Sequence, residues 1–216
     1  MSVAPPARPL VLAYPFRGRW RTENSPARRI PSHGTALYGT SHAIDFVAVD
    51  ARGRSGPITW RTLVATEPPE TYVGFGLPVT APVSGTVVEA VDTMPDHDGR
   101  RSQPALIRYA LGQPARARAG VDSLAGNRVV IAVGPEGPYV VLAHLRRGTV
   151  RVRPGQRVEV GELLGECGSS GNSTEPHVHV QVSDTTDWPR ARGVPLAFLG
   201  SDGSARIPAE REVVVI

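Results

Sequence analysis

Short strand-like segments separated by turns constrain the fold of this chain more than any other feature. Segments 85–91, 139–145 and 177–182 are examples, and across the chain such segments are spaced by turns at intervals of about ten residues. The 23 glycines and 21 prolines among 216 residues favour turns over long helices. The pattern predicts an all-β fold, a sandwich or barrel-like sheet, rather than a helical or mixed one.

The organisation expected along the chain is one domain with two irregular regions. Residues 1–30 are rich in proline and arginine and are expected to form an irregular N-terminal extension. Residues 31–216 are expected to form the domain, in which the polar stretch at about 92–121 is an inserted loop. A helical turn is predicted around Ala105 to Leu111 within this loop.

The composition argues against several classes of partner. The formal charge is +4, but the arginine runs form no interleaved aromatic platform, which favours a solvated basic surface over a nucleic-acid site. No apolar run is long enough to cross a bilayer, and residues 1–14 lack the pattern of a secretory signal, so no membrane partner is expected and the location is left open. The single cysteine, Cys167, cannot form an intrachain disulfide, and its setting indicates a buried thiol.

Histidines and one aspartate carry the candidate chemistry. In a strand, residues i and i+2 share a face, so His177 and His179 project side by side. Asp45 interrupts the apolar run 43–47, where a buried carboxylate is costly unless it pairs with an arginine or binds a metal. His144 closes the apolar strand 139–145 and is either a packed core residue or a functional group. A carboxylate with two histidines and an open position is typical of catalytic zinc.

Several motifs, taken in order, resemble the M23-type zinc metallopeptidases, the lysostaphin- and LytM-like peptidoglycan endopeptidases. The resemblance extends over roughly residues 31–200, and its most specific part is 161–179, which ends in His-Val-His. It rests on these segments: Ala-Ile-Asp-Phe at 43–46, Pro-Val-Thr-Ala-Pro-Val-Ser-Gly-Thr-Val at 78–87, Ala-His-Leu at 143–145 and the glycine- and serine-rich run 168–181.

The resemblance implies a fold, a cofactor and roles for residues. The fold would be an antiparallel two-layer β-sandwich or groove of the duplicated hybrid motif type, with long loops. Asp45 and His179 would bind Zn²⁺, while His144 and His177 would act on the water and the oxyanion. The substrate would be a peptide, with peptidoglycan crosslinks implied by the family, and the oligomeric state is left open.

The chain departs from the family at the first zinc ligand. The usual histidine four residues before the aspartate is replaced by Ser41. His42 is adjacent, but strand alternation would place it on the opposite face from Asp45. His33, in a preceding turn-like segment, is therefore preferred as the third metal ligand, with His42 as the alternative if a bulge intervenes.

Three functions remain open at this point. The sequence has no His-Glu-x-x-His and no Gly-x-Ser-x-Gly motif, so a hydrolase would use an imidazole base. The favoured reading is a zinc metalloendopeptidase. The alternatives are a catalytically inert cell-wall-binding or activator module, and more distantly a phosphocarrier of the same sheet architecture, which residues 80–87 also resemble.

Overall fold

Strands dominate residues 8–102 and 120–216, the part of the chain that the computed structural model describes. Their short lengths follow from the frequent turns. The strands are β1 (Leu10–Leu12), β2 (Arg19–Glu23), β3 (Ile44–Ala48), β4 (Pro78–Thr80), β5 (Gly85–Val91), β6 (Asn127–Ala132), β7 (Tyr139–Leu145), β8 (Arg157–Val158), β9 (Leu163–Glu166), β10 (Val178–Ser183), β11 (Leu196–Leu199), β12 (Ala205–Arg206) and β13 (Val213–Val215).

Helical structure in the described residues is limited to single turns or little more. The two α-helices are α1 (Trp60–Val64) and α2 (Val121–Ala125). The three 3-10 helices are η1 (Leu37–His42), η2 (Pro69–Thr71) and η3 (Trp188–Arg190).

The largest sheet has eight strands in the order β13-β2-β3-β10-β7-β6-β5-β8, and each neighbouring pair is antiparallel. A three-stranded sheet, β1-β11-β12, and the antiparallel pair β4-β9 accompany it. The β1–β11 pairing is parallel, which is the exception to the expected antiparallel arrangement. The prediction of a mostly β, antiparallel fold is confirmed.

The two faces of the large sheet have different environments. On β10, Val178, Val180 and Val182 join the main hydrophobic core together with residues of β1, β4, β9 and β11. The alternate residues of β10 point to the other face, where Val141 and Ala143 of β7 form part of a second, smaller cluster. This strand alternation separates a structural face from a face that is free to carry chemistry.

Residues 8–30 contain two strands, so the expectation of an irregular N-terminal stretch is wrong for this described part of it. β1 and β2 both lie in it, and β2 pairs with β3 inside the large sheet. Trp20 and Thr22 are buried, whereas Arg19 is exposed, so β2 alternates as a half-buried strand does. The abundance of arginine and proline hides this alternation in the sequence. The division into an extension and a domain at residue 30 stays a prediction.

The predicted strands correspond well to the observed ones. The predicted segments 85–91 and 139–145 coincide with β5 and β7, and the segment 177–182 differs from β10 by one residue at each end. The inserted loop pairs with the rest of the chain through isolated bridges from Asp96 to Ser170 and from Gly99 to Glu67. The helical turn predicted around Ala105 to Leu111 lies outside the described residues.

Two further expectations concern burial and membranes. Cys167 is fully buried, as predicted, and burial raises the pKa of its thiol. Across residues 8–102 and 120–216, we find no helix with the length and apolarity that a transmembrane span requires.

Candidate metal centre

Asp45 and His179 face each other across two neighbouring strands. They are register partners in the antiparallel pair of β3 and β10, so their side chains leave the same face of the sheet. Nδ1 of His179 lies 2.8 Å from Oδ1 of Asp45. Both residues are buried, because the rest of each strand packs in the core.

His33 reaches the same carboxylate from a loop. Its Nε2 lies 3.0 Å from Oδ2 of Asp45, and its ring centroid is 5.0 Å from that of His179. Each of the three residues offers a donor atom, and these atoms lie within 4.8 Å of one another. The structure therefore brings together the three residues predicted as metal ligands, and their role as ligands stays a prediction.

The alternative donor, His42, is not part of this group. The structure places residues 37–42 in η1, so β3 begins only at Ile44 and the alternation assumed for residues 41–45 does not extend to His42. Nδ1 of His42 instead lies 3.0 Å from Oγ of the neighbouring Ser41. The geometry favours His33, although not for the strand parity from which it was predicted.

His177 stands beside the carboxylate with one ring nitrogen occupied. Its Nδ1 lies 2.8 Å from the carbonyl oxygen of Glu175, and its Nε2 lies 3.7 Å from Oδ1 of Asp45. A carbonyl oxygen only accepts hydrogen bonds, so Nδ1 carries the hydrogen. In the neutral ring, Nε2 therefore has a free lone pair that faces the centre.

His144 reaches the site through a bulge in β7. The β6–β7 register shifts there, so that Leu145 pairs with Asn127 and Ala143 with Arg128. His144 has a φ of 62°, a left-handed conformation that is rare for residues other than glycine. As a result Leu145 packs in the main core, and His144 turns to the face of Ala143.

The ring of His144, like that of His177, is held by a hydrogen bond from Nδ1 to a backbone carbonyl oxygen. Its Nδ1 lies 2.9 Å from the carbonyl oxygen of Ser170, so this nitrogen also carries the hydrogen. The ring centroids of His144 and His177 are 4.5 Å apart. Two imidazoles thus lie side by side, each with its Nδ1 hydrogen directed to a backbone carbonyl oxygen.

Burial and neighbouring charges shift the pKa values of the site residues in different directions. Burial raises the pKa of Asp45, but His33, His177 and His179 outweigh it, and the pKa lies well below its usual value. Burial and the charges of His177 and His179 hold the pKa of His144 well below its usual value. For His179 burial lowers the pKa, yet the hydrogen bond to Asp45 raises it more. An ionised carboxylate therefore lies beside a neutral His144 at pH 7.

Two groups that support the site were not identified as site residues from the sequence. Asn24 donates from Nδ2 to Oδ2 of Asp45 over 2.7 Å, and Gln181 lies with Oε1 3.0 Å from Nε2 of His179. Asn24 has no motif and is far from Asp45 along the chain. Gln181 could have been identified from the sequence, because it lies two residues after His179 on the same strand face.

The centre opens into a cleft of about 420 Å³ on the outer face of the large sheet. The apolar part of its lining comes from η1, η3, α2 and β7. These lining residues include Leu37, Tyr38, Val121, Leu124, Ala143 and Trp188. A mostly apolar cleft with a few convergent polar groups is typical of a ligand-binding site.

The donor set is chemically suited to zinc. Two imidazole nitrogens and a carboxylate oxygen are ligands that Zn²⁺ prefers, and three protein ligands leave one position open. The remaining ring nitrogens of His33 and His179 are occupied by Ser32 and Gln181, as is common for metal-binding histidines.

Comparisons with known proteins agree with the motifs. The sequence model of "Peptidase family M23" matches residues 110–190. Over 91 residues the chain is 33% identical to the cell division protein DipM of Caulobacter vibrioides, a match covering 39% of this chain and 15% of that relative's length.

Solved structures with low identity were also found. The catalytic domain of the prophage-encoded M23 protein EnpA from Enterococcus faecalis aligns with a TM-score of 0.41 and 21% identity, covering 74% of this chain and 78% of the other. The catalytic domain of the antimicrobial peptidase lysostaphin from Staphylococcus simulans aligns with a TM-score of 0.40 and 20% identity, covering 74% and 80%. The resemblance predicted from the motifs is confirmed by the match of residues 110–190 to the model of peptidase family M23.

Proposed function

We propose that this chain is a zinc-dependent metalloendopeptidase that hydrolyses peptide bonds, with peptidoglycan crosslink peptides as the substrate class. One observation carries the proposal. His33, Asp45 and His179 bring donor atoms within 4.8 Å of one another, and His144 and His177 line the adjoining cleft with each Nδ1 held by a backbone carbonyl oxygen. A metal-binding set beside two proton acceptors is what amide hydrolysis requires.

His33, Asp45 and His179 would hold the zinc ion. When bound, zinc supplies Lewis acidity and lowers the pKa of a coordinated water toward about 7. The ionised state of Asp45 suits this role, because a carboxylate must be deprotonated to bind a metal.

The two remaining histidines would handle protons. Nε2 of His177 lies near Asp45 and is free to accept a proton from the attacking water. The lowered pKa of His144 keeps its Nε2 unprotonated at rest, so it would donate to the oxyanion or the leaving amine only after it has taken up the proton that His177 accepted from the water. Their ring centroids, 4.5 Å apart, allow both to contact one reacting peptide group.

The cleft suits an extended peptide with small or apolar side chains. Val141 and Ala143 of the sheet, with Trp188 and Leu37 at the sides, present short or apolar surfaces. The M23 match supports peptidoglycan as the source of such an extended peptide substrate. The predicted excess of positive charge favours association with an anionic polymer such as the cell wall.

Histidine-to-alanine variants of the purified chain test the proposal. We expect His177→Ala to keep about one zinc per chain and to lose hydrolysis of purified, crosslinked peptidoglycan fragments. His179→Ala and His33→Ala should lose zinc as well, while His42→Ala should keep both zinc and hydrolysis. Zinc is measured by mass spectrometry of the metal, and hydrolysis by the release of new amino groups.

The outcomes separate the competing functions. A wild-type chain that binds no zinc after exposure to it would contradict the proposal. A chain that binds zinc but releases no amine from any crosslinked peptide would favour the inert module, the alternative that the loss of a histidine at Ser41 suggests. Transfer of phosphate from a phosphohistidine donor to His144 or His177 would instead favour the carrier.

A further inference from the structure

The outer nitrogen of His179 is held by a chain of two hydrogen bonds. Nε2 of His179 lies 3.0 Å from Oε1 of Gln181. Nε2 of Gln181 in turn donates to the carbonyl oxygen of Tyr38 over 2.9 Å. Gln181 is buried, so neither end of its amide competes with bulk water.

The outer nitrogen of His33 is held by a second chain of the same kind. Nδ1 of His33 lies 3.0 Å from Oγ of Ser32. That hydroxyl donates to the carbonyl oxygen of Thr40 over 3.2 Å. Ser32 is buried as well. The two chains start at different metal-ligand candidates and end on carbonyls of the same segment, η1.

The backbone of η1 is shaped to present these carbonyls. Tyr38 and Gly39 have φ values of 57° and 79°, which are left-handed, so the helical turn is interrupted between them. A Cβ at Gly39 would lie 3.1 Å from Cβ of Ser183 and 3.4 Å from Nε2 of Gln181. The segment therefore packs closely on β10, the strand that carries His179.

The chemistry of a carbonyl sets the direction of both chains. Because the Tyr38 oxygen only accepts, the NH₂ group of Gln181 faces it and Oε1 faces His179. Nε2 of His179 must then carry a hydrogen, and Nδ1 is the nitrogen left for a metal. By the same reasoning, Oγ of Ser32 donates to Thr40 and accepts from Nδ1 of His33, which leaves Nε2 of His33 facing inward.

We propose that Gln181 and Ser32 are positioning residues that fix the tautomer and ring orientation of His179 and His33, with η1 as their common anchor. The inference rests on the proposed function, since it assumes that these two rings bind zinc. It assigns to η1, in which Ser41 takes the position of the family's usual first histidine, the task of holding both imidazoles from outside.

Zinc affinity of the full chain, measured by competition with a chromogenic chelator, tests the proposal. We expect Gln181→Met, which removes both hydrogen bonds at similar volume, to weaken zinc binding about 10- to 100-fold. Gln181→Glu, which keeps an acceptor toward His179 but loses the donor to Tyr38, should recover only part of that loss. Ser32→Ala should also weaken binding.

Ser183→Ala is the matched control. Ser183 is buried two residues along the same face and contacts η1, but its Oγ has no hydrogen-bond partner among the described residues. The Ser183→Ala variant should therefore bind zinc as the wild type does. A loss of affinity equal to that of Gln181→Met would show that packing, not hydrogen bonding, is responsible, and would overturn the proposal.

Ring nitrogen spectra supply a readout that needs no variant. In ¹H–¹⁵N spectra of the zinc-loaded wild type, we expect a hydrogen on Nε2 of His179 and on Nδ1 of His33. The opposite tautomer at either ring would overturn the proposal even if a variant fails to fold. A wild type that binds no zinc would contradict the proposed function, whereas equal affinities of wild type, Gln181→Met and Ser32→Ala would contradict only this inference.

Discussion

His144 reaches the cleft by a route that regular strand alternation does not offer. In a regular strand, 144 would point into the core with Leu142, and Leu145 would face the cleft. The bulge at His144, with its φ of 62°, exchanges the two. Non-glycine residues in such a conformation cost on the order of 1–3 kcal/mol and cluster at functional sites.

Among the residues that the structure brings together, those predicted from the sequence are marked by a local pattern. The pair at 177 and 179 follows from a two-residue period, and Asp45 stands out as a carboxylate in an apolar run. Asn24 and Ser32 could not be identified, because their contacts depend on how loops return to β3. Asn24 meets Asp45 only through the pairing of β2 with β3.

Glu175 allows a prediction about pH. Its side chain is largely buried and accepts a hydrogen bond from Ser55 over 2.5 Å, with Arg21 4.0 Å away. Burial raises its pKa in the folded chain. A carboxyl group with a raised folded-state pKa costs no stability below its unfolded-state pKa, and destabilises the fold as pH rises through the folded-state value.

Glu175→Gln should therefore stabilise the chain at pH 7, by about 1.4 kcal/mol for each unit by which the folded-state pKa is raised. The gain should shrink as the pH falls toward about 4. Urea unfolding at several pH values, with chelator present, measures it. The exposed Glu70→Gln should change stability by less than about 0.5 kcal/mol. A gain that grows toward low pH would show the sign to be wrong.

At the level of elements, the glycine- and serine-rich run 168–176 before β10 allows close packing of its backbone against α2. A Cβ at Gly171 would lie 2.5 Å from the backbone nitrogen of Gly126 and 2.7 Å from the carbonyl oxygen of Leu124. The next residue, Asn172, donates its N–H to that same Leu124 oxygen. This run therefore holds α2 beside the cleft.

Gly171→Ala should destabilise the chain more than Gly148→Ala does. Both glycines are left-handed, with φ values of 66° and 76°, but Gly148 has no atom near its Cβ position. Gly148→Ala should cost about 1–2 kcal/mol from backbone strain alone, and Gly171→Ala about 1–3 kcal/mol more from crowding. Urea unfolding measures both, and equal losses would contradict the packing role.

Element-level prediction was strongest for the strands and weakest for η1. Apolar alternation located β5, β7 and β10, because each is long enough to show its period. Residues 37–42 lack a period of their own, and their conformation follows from contacts with Ser32 and Gln181. The same contacts decide why His33 rather than His42 lies beside Asp45.

For the whole molecule, the proposed metal links stability to zinc. The three candidate ligands come from β3, β10 and a loop, so one ion would join segments that are far apart in sequence. The unfolded chain cannot present these ligands together. A ligand that binds only the folded state stabilises it by about 2.7 kcal/mol at a concentration of 100 times Kd.

Zinc should therefore raise the melting temperature, and a chelator should lower it. At 100 times Kd we expect a rise of roughly 5–11 °C, since 1 kcal/mol shifts the melting temperature of a chain this size by about 2–4 °C. Scanning calorimetry of wild type and His179→Ala measures the effect. The variant should show little zinc dependence, and an equal rise in both would argue against this site.

What the sequence determined by itself is the class of the fold, the strands of its centre, and the chemical types at the site. These follow from short-range rules, because alternation and residue type are properties of neighbouring positions. The tertiary structure alone decided that β2 joins the sheet, that His144 leaves the core, and that His33 meets Asp45. Each of these depends on contacts between segments remote in the chain, whose free energies no local pattern records.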